Sequence, residues 1–345
     1  MKVVDLPLHT GSVPYWLLKR MKDLARSIIT VIIDEFGERE FIRRISNPIF
    51  FQSFSNVLGF DWDSSGSTTV LTGVLKSVLN EGEFGVKIAG GKGLNALKTP
   101  EEIRSLSLEL GIDPERLVRI SRLTAKVDNS LIQDGYDIYH HVIIFSRKYW
   151  TVIQQGMNTR IKMARRYHWD VFGGDVRIEN PHSGIVTRRI EDYVMNIASR
   201  KSREAREVMI DVVRDGTFRR DYRKLISMVK KEERFVIPRK IDWNLIERLY
   251  EIQPKSFEDL LLIRGFGKGL IRALALISDI IYNVEFDKQD PAKYCLALGG
   301  KDGVPFPISR RLYDEVLEFM KSVIEQSRLN SFERRKILLR LRSLI

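Results

Sequence analysis

The chain has 345 residues, of which 43% are hydrophobic and 30% are charged, so it can build a core and is not a disordered chain. Its apolar runs are too short to span a bilayer, and its single cysteine, Cys295, excludes internal disulfides and cysteine metal clusters, which predicts a cytoplasmic protein with no membrane partner. Fifty-seven Lys and Arg against 45 Asp and Glu give a net charge of +12, which is typical of proteins that bind polyanions.

The N-terminal part is predicted to be mainly helical. Apolar residues at helical spacing and helix-start signals predict helices over 14–36, Thr68–Leu79, Thr99–Leu110 and from Asp113 onward. Thr99 and Glu102 have the spacing of a capping box, which would open the third of these helices. Between the helices, Phe84–Ile88 is predicted to be a short strand that ends in a glycine-rich loop, Ala89–Gly93.

The clearest β pattern lies in the middle of the chain. Ile138–Phe145 and Tyr149–Ile153 flank the polar tip 146–148, which predicts a β-hairpin. A basic helix is predicted over Thr159–Tyr167, and from Arg189 to the C-terminus the pattern is helical throughout.

These elements predict an α+β fold in three parts. Residues 1–185 would form a mixed α/β domain that contains the β-hairpin and carries any catalysis. Residues 186–240 would be a basic helical connector, and residues 241–345 an all-helical domain. Two amphipathic helices near the C-terminus, Tyr313–Ile324 and Phe332–Leu344, could belong to the core or form the seam of a homodimer.

Basic residues are concentrated in three stretches. Arg200–Lys240 has fourteen basic and seven acidic residues, Asn158–Trp169 has four basic residues and no acid, and Ser331–Ile345 has a net charge of +4. Such concentration on a near-neutral body favours nucleic acid as the partner, and Arg165 and Arg166 in the second stretch are predicted to contact DNA. The alternative is a set of solvated helix faces.

The sharpest motif is Leu260–Ile277, in which an apolar helix runs into Gly265-Phe266-Gly267 and a second apolar helix follows. Two glycines around one apolar residue predict a tight corner whose backbone N–H groups point outward at a helix N-terminus, and such a corner binds phosphate oxygens. The residues predicted to contact DNA here are Arg264, Gly265, Gly267, Lys268, Gly269 and Arg272. The alternative is a helix turn whose glycines only permit close packing.

This corner resembles the helix-hairpin-helix motif of many repair enzymes, which grips the DNA backbone without reading its sequence. In the base-excision glycosylases with that motif, a catalytic Lys follows the second Gly by two positions, where this chain has Gly269, and Lys268 lies one residue early. A catalytic Asp is expected further along, where the chain has Ser309. The resemblance therefore implies backbone binding and gives little support to glycosylase chemistry.

All five histidines precede residue 185: His9, His140, His141, His168 and His182. Acids that could join them are Asp5, Asp61, Asp63, Asp128, Asp134 and Asp137. Imidazole beside carboxylate suits a divalent metal such as Mg²⁺ or Mn²⁺ that activates water, or acid–base chemistry on a phosphodiester. The predicted catalytic residues are His9, Asp61, His141, His168 and His182, with Asp61 and His141 as metal ligands. The alternative for each histidine is a structural hydrogen bond or a direct phosphate contact.

His140 and His141 are adjacent on a predicted strand, so at most one of them can face a given site. His140 and His141 point to opposite strand faces. If the hairpin tip closes as predicted, His141 lies opposite Gln154 and His140 opposite Gln155, so each face carries a His beside a Gln.

The glycine-rich segment Ala89–Gly93 is a second candidate phosphate loop. It lacks the spacing and the Ser or Thr of an ATP-binding loop. Lys92 on this loop is predicted to hold a nucleic-acid phosphate, and a plain glycine-rich turn is the alternative.

Several long strings together resemble one prokaryotic family, domain of unknown function 763, found in archaea and some bacteria. The strings are DLPLHTG, LGFDWDSSGSTTV, AGGKG, RLTAKVDNSLIQDGYDIYHH, QQGMN, ARRYHW, PHSGI, LLLIRGFG and ALGGKDGVPFP. The resemblance covers Val4 to about Glu325 and implies no particular activity. Within DWDSSG it favours Asp61 over Asp63 as a ligand.

The sequence thus predicts a DNA-binding protein of repair or processing type, with RNA as an open alternative. Metal-dependent phosphodiester hydrolysis in the N-terminal part is the first reading of its chemistry. A glycosylase-like enzyme and a non-catalytic DNA-binding module are the alternatives.

Overall fold

A β-sheet with helices on both faces organises the chain. The computed structural model describes residues 15–59, 65–187, 189–228, 236–292, 294–295, 310–327 and 329–342. The strands are β1 Lys87–Lys92, β2 Ile132–Gln133, β3 Asp137–Phe145, β4 Trp150–Asn158, β5 Met163–Trp169, β6 His182–Thr187, β7 Met195–Asn196 and β8 Tyr294–Cys295. The main sheet has the order β1-β3-β4-β5-β6-β8 and is antiparallel except for the β6–β8 pair, while β2 and β7 form a separate two-stranded ribbon.

Thirteen α-helices lie within the described ranges. They are α1 Tyr15–Ser46, α2 Pro48–Val57, α3 Ser65–Glu81, α4 Leu94–Leu97, α5 Thr99–Leu110, α6 Pro114–Lys126, α7 Arg203–Arg214, α8 Phe218–Met228, α9 Trp243–Ile252, α10 Phe257–Leu262, α11 Lys268–Ile281, α12 Arg310–Gln326 and α13 Ser331–Arg342. The predicted α+β class is confirmed, with a largely helical C-terminal region that also holds the two-residue strands β7 and β8.

Each face of the sheet has its own hydrophobic core. On one face Val142, Ile144 and Ile153 pack with apolar residues of α1, α2, α3, α12 and α13. On the other face Ile143 and Val152 pack with apolar residues of α5 to α11. The strand side chains therefore have helices above and below them, and little of the sheet reaches water.

The second core crosses both predicted domain boundaries. Residues from Ala89 to Ala292, on either side of 185 and 240, belong to this one cluster. The division into 1–185, 186–240 and 241–345 stays a prediction about folding units. In the structure these stretches share a core.

The β-hairpin is confirmed in place and in register. Ser146 N–H donates to Tyr149 O at 2.8 Å, which closes the tip. The pairing then sets His141 opposite Gln154 and His140 opposite Gln155. A polar tip between two runs rich in β-branched residues was sufficient to fix this register.

The basic helix predicted over Thr159–Tyr167 is wrong, because this segment contains strand β5. A basic helix would carry these arginines on its surface. Instead Arg165 and Arg166 point to opposite faces of a covered sheet, and they are 0% and 5% exposed. A strand buried on both faces shows no alternation of polar and apolar residues, so the sequence pattern did not identify this segment as a strand.

The predicted glycine-rich loop is also wrong, because Ala89–Lys92 continues the edge strand β1. Gly90 pairs with Val142, and its backbone N–H donates to Glu102 Oε2 at 2.7 Å. Gly90 has φ +105°, and a Cβ there would overlap the backbone oxygen of His141. The glycine therefore allows close approach of two strands rather than a phosphate.

Two helix starts differ in detail from their predictions. Helix α5 runs to Leu110 as predicted, but Thr99 lies in its first turn and donates to Ala96 O, while Glu102 bonds Lys76, so no capping box forms. Asp113 does cap α6, accepting from Glu115 N–H at 3.0 Å.

The helix predicted over 14–36 is confirmed from Tyr15 and breaks at Gly37, whose φ is +82°. A second helical stretch then continues to Ser46.

The C-terminal helices contribute to the core around α1 and α2. Met320, Val323 and Ile324 of α12 are fully buried, and Ile337 of α13 is nearly so. These apolar residues are used within the chain, and the homodimer stays a prediction. Among the described helices, none combines the length and apolar character needed to cross a bilayer.

Replacing Gly90 by Ala should lower the free energy of unfolding by about 3 kcal/mol, because it adds strain at positive φ and pushes β1 away from β3. The matched control is Gly73→Ala in α3, where an added Cβ meets nothing within 4 Å. That change should stabilise by roughly 0.5–1 kcal/mol. Urea unfolding measures both, and equal stability of the two variants would contradict the close-approach role of Gly90.

Candidate functional site

The predicted catalytic histidines fall on both faces of the sheet. His141 and His182 lie on the face covered by α6, whereas His140 and His168 lie on the face covered by α2 and α3. His9 and Asp61 lie outside the described residues. The main sheet therefore separates His168 from His141 and His182.

Asp128 is the centre of the polar cluster on the first face. It lies in a π-helical turn, Val127–Leu131, that extends α6, and it is fully buried. Its carboxylate accepts from Gln154 Nε2 at 2.5 Å and from Trp169 Nε1 at 2.8 Å. Because these groups only donate to it, the contact with His182 Nε2 at 2.7 Å is also a donation to the carboxylate. His182 and Asp128 thus form an oriented imidazole–carboxylate pair.

His141 is held on the same face by helix α6. Its Nε2 lies 2.8 Å from Ser121 Oγ. Burial lowers the pKa of His141, although Gln154 and the charge of Asp128 oppose the shift. His141 is therefore a neutral, hydrogen-bonded core residue. Its neighbour Gln154 also donates to Asp128, so Gln154 links His141 to the Asp128 cluster.

The second face carries its own polar cluster, which contains His168. Arg166 Nε donates to His168 Nε2 at 2.8 Å, so that nitrogen is unprotonated and the ring is neutral. Burial, followed by the charge of Arg166, lowers the pKa of His168 well below its usual value. The guanidinium of Arg166 also lies over the ring of Phe51, with its carbon 4.7 Å from the centroid. Arg166 thus positions His168 and fills the interior.

Glutamine and threonine side chains complete this second cluster. Thr68 Oγ1 donates to Gln155 Oε1 at 2.5 Å, and Gln155 Nε2 donates to Ser65 O at 2.9 Å and to Tyr139 Oη. Each His–Gln pair of the hairpin therefore lies in a separate hydrogen-bonded cluster, as the alternation along the strands predicts.

Arg165 is the charged centre of the first face and does not reach the surface. Its Nη1 donates to Asp134 Oδ2 at 2.9 Å, and its Nη2 donates to Asp290 Oδ2 at 2.8 Å. Burial disfavours the guanidinium charge, but the facing Asp134 and Asp290 raise the pKa of Arg165. Direct DNA contact through Arg165 or Arg166 is therefore not supported, since both side chains have partners inside the fold.

The described residues do not assemble the predicted metal site. No group of three or more His, Cys, Asp or Glu in these ranges is placed to hold an ion. Of the two predicted ligands, Asp61 lies outside these ranges and His141 is hydrogen-bonded to Ser121. Lys92 is exposed at the end of β1, with its Nζ 5.9 Å from the centroid of the Tyr139 ring.

The corner between α10 and α11 is exposed. Arg264, Gly265 and Gly269 are accessible, while Phe266 is fully buried and anchors the turn. Gly265 has φ +96°, which favours glycine there. Gly267 is the N-cap of α11 and supplies no side-chain cap, so the first-turn amides of the helix have no side-chain acceptor from that residue.

The segment 236–240 passes beside this corner. A Cβ on Gly269 would lie 3.8 Å from Pro238, and Arg239 and Lys240 follow in exposed positions. We call Arg239, Lys240 and residues 264–269 together the basic corner. Lys268 belongs to it and pairs with Asp137, Nζ to Oδ1, at 2.8 Å.

Arg272 turns away from the basic corner. Its Nε donates to Gln133 Oε1 at 2.8 Å, and Gln133 Nε2 in turn donates to Lys268 O at 2.9 Å. Arg272 is half-buried, so it positions the start of α11 through Gln133. No local pattern predicts this role, because Gln133 lies 139 residues away along the chain.

The comparisons identify a family and no characterised relative. A family model described as "Protein of unknown function (DUF763)" matches residues 2–308. Neither the curated proteins nor the solved structures gave a match.

His140 gives the structure a defined response to acid. Burial, followed by the electrostatic effect of the nearby His141, Lys92 and Lys76, lowers the pKa of His140 to about 3. Between that value and the unfolded pKa near 6.5, the unfolded chain binds a proton that the folded chain does not, so stability falls as the pH falls. His140→Gln should reduce the slope of unfolding free energy between pH 4 and 6 by about 1.4 kcal/mol per pH unit. Urea titrations across this range measure it, and an unchanged slope would contradict the assignment.

Replacing Arg165 by Met should lower the free energy of unfolding by about 3–5 kcal/mol, because Asp134 and Asp290 lose their buried counter-charge. Arg160→Met, at an exposed position of the same basic stretch, should change it by about 0.5 kcal/mol or less. Thermal and urea unfolding compare the two variants. Similar stabilities would mean that the Arg165 charge is not needed in the interior.

Proposed function

The chain belongs to the family of unknown function DUF763, and we propose that it binds the DNA backbone, without sequence preference, through the basic corner. The observation that carries this proposal is the exposed start of α11, rimmed by arginine and lysine side chains. The resemblance to a helix-hairpin-helix, the positive charge of the corner and its exposure all favour a DNA phosphate as the ligand.

The start of α11 offers backbone donors. A helix begins with N–H groups that have no partner within the helix, and its dipole favours an anion at this end. Helix α11 has 14 residues, and its N-cap is a glycine without a side-chain acceptor. A phosphate oxygen would supply the acceptor that the cap lacks.

The cations around these amides are available. Arg264, Arg239 and Lys240 are exposed and have no ion pair with any other residue that the structure describes. Lys268 does have a partner, but Asp137 is 79% exposed, and a surface pair of this kind is worth less than about 1 kcal/mol. A DNA phosphate can therefore replace Asp137 at little cost.

A second basic surface adjoins the corner. Helix α8 presents Arg223 and Lys224 to solvent, and Tyr222 on its buried side donates to Pro238 O. Pro238 connects α8 to the basic corner, so a strand of nucleic acid that contacts one surface lies close to the other. Sequence-independent binding gains its affinity from several such phosphate contacts made together.

The resemblance to a helix-hairpin-helix supports the same proposal. Helix α10, the turn 263–267 and helix α11 have the order and the two glycines of that motif. The glycosylase alternative gains no support from the described residues, since Lys268 is bonded to Asp137 and Ser309 lies outside them. Backbone binding is the part of the resemblance that we propose for this chain.

Metal-dependent cleavage of DNA is a second candidate, motivated by the His182–Asp128 pair. Incubation of end-labelled single-stranded, duplex and flap DNA with Mg²⁺ or Mn²⁺ tests it on denaturing gels. Substrates that stay intact would leave DNA binding without chemistry, which is the non-catalytic alternative.

Replacing Arg264 by Ala should weaken binding to duplexes of unrelated sequence by the same factor, roughly fivefold, because a phosphate contact carries no base information. The slope of log affinity against log salt should fall by about 0.9. Fluorescence anisotropy with labelled duplex DNA, single-stranded DNA and duplex RNA measures both quantities and shows which nucleic acid is preferred.

The matched control is Arg26→Ala, an exposed arginine on α1, across the main sheet from the basic corner. It should bind like the wild type. An Arg264→Ala variant with wild-type affinity and salt slope would mean that the basic corner serves packing alone.

A further inference from the structure

A polar cavity lies beside the His182–Asp128 pair, and neither the DNA proposal nor the sheet interior uses it. It has a volume of about 530 Å³ and opens between the start of β6, strand β7 and the segment 287–291. The side chains that matter for its chemistry are His182, Asn196, Arg200, Lys201, Asp287 and Gln289. We call this cavity the His182 pocket.

The floor of the pocket has an amide without a partner. Asn196 is 5% exposed and lines the cavity, yet its side chain makes no hydrogen bond with any other described residue. Its backbone is fixed, because Asn196 N–H donates to Asp287 O and Ser202 Oγ donates to Asn196 O. The amide opens into the cavity, where a ligand with a complementary donor and acceptor can pair with it.

His182 forms the rigid side of the same floor. Its Nε2 donates to Asp128, which is itself fixed by Gln154 and Trp169. The imidazole is therefore held in one orientation at the wall of the cavity, with the ring of Trp169 packed against it at a centroid distance of 5.3 Å.

The rim of the pocket is basic. Arg200 and Lys201 are exposed at the mouth, and Lys201 Nζ donates to Gln289 Oε1 at 3.1 Å. Of the two acids that line the pocket, Asp290 is paired with Arg165, whereas Asp287 accepts from Gln289 N–H at 3.0 Å and has no ion pair with another described residue. The two cations at the mouth, Arg200 and Lys201, therefore outnumber the one carboxylate without a counter-charge. An anionic group is thus favoured at the mouth and a neutral polar group at the floor.

We propose that the His182 pocket binds a mononucleotide unit, with the edge of its base at Asn196 and its phosphate at Arg200 and Lys201. The volume falls within the usual range of about 300–1,000 Å³ for small-ligand pockets. A side-chain amide pairs with adjacent donor and acceptor atoms on a base edge. Arg and Lys at the mouth suit the phosphate charge.

The position of the pocket relates it to the basic corner. Asn196 lies on β7, which pairs with β2, and Gln133 of β2 contacts Lys268 and Arg272. The ribbon β2–β7 therefore joins the two places. A free mononucleotide and a nucleotide within a strand share the chemistry that this pocket recognises.

Isothermal titration with dAMP tests the proposal, with deoxyadenosine, inorganic phosphate and a short single-stranded oligonucleotide as separate arms. Binding of dAMP that is at least tenfold tighter than that of either fragment supports a site for base and phosphate together. Phosphate that binds as tightly as dAMP, or dAMP that does not bind at millimolar concentration, would overturn it. The oligonucleotide arm compares free and strand-borne nucleotides.

Two variants separate the parts of the site. Asn196→Ala should weaken dAMP binding about tenfold and leave the melting temperature unchanged, because the amide has no partner to lose. The double variant Arg200→Ala with Lys201→Ala should weaken dAMP about tenfold and leave deoxyadenosine unaffected. Wild-type dAMP affinity in either variant would refute the assignment.

Matched controls exist for both variants. Asn95→Ala removes an exposed asparagine on α4, and Arg147→Ala with Lys148→Ala removes another exposed, adjacent Arg–Lys pair at the hairpin tip. Neither should change dAMP binding. DNA binding is assigned to the basic corner and dAMP binding to the His182 pocket. The effect of the pocket variants on dAMP affinity therefore tests the pocket proposal independently of whether Arg264 contacts DNA.

Discussion

The sheet is covered on both faces, and this constraint decides where charge can be placed in the rest of the molecule. Polar side chains in the covered part of β3, β4 and β5 need partners inside the protein, because water does not reach them. Arg165 meets this requirement with two carboxylates, Asp134 and Asp290. Asp290 lies in the segment that follows α11, so its ion pair with Arg165 holds that segment against the sheet.

The same constraint explains the two polar clusters. Asp128 on one face and Gln155 on the other each collect several hydrogen bonds from strand and helix. Such groups are costly when unpaired and fix a single packing when satisfied. Three histidines buried in these clusters, His140, His141 and His168, stay neutral because burial lowers the pKa of each.

Local patterns in the sequence were sufficient for the elements that local physics determines. The hairpin register, the cap at Asp113 and the class of the fold follow from turn chemistry, capping and periodicity. The strand at Arg165 does not follow from such patterns. A sequence shows the two-residue period of a strand only when one face of the strand meets water and the other is buried. Likewise Gly90 looks like a loop residue until its distant partner β3 is known.

The candidate site was predictable in its residue types and not in its grouping. His182 was predicted as a site residue and Asp128 was among the acids that could join it, but only the fold shows that they pair and that His168 lies across the sheet. Asn196 carries no pattern at all, since an unpartnered amide is defined by what surrounds it. Partners far apart along the chain leave no spacing that a sequence pattern can reveal.

Net charge overstates the surface that a polyanion can use. Two of the four cations in 158–169, Arg165 and Arg166, lie inside the fold, and Arg272 of the corner motif is bound to Gln133. What distinguishes a binding cation from a structural one is whether its partner already lies within the protein. By that criterion Arg264, Arg239 and Lys240 and the cations on the solvent side of α8 remain available, and Arg264 lies beside the start of α11, whose N-cap supplies no side-chain acceptor. In the proposed complex a sugar-phosphate chain would pair with these cations and accept from the amides of α11 at once, which is why the proposal rests on charge and helix geometry together.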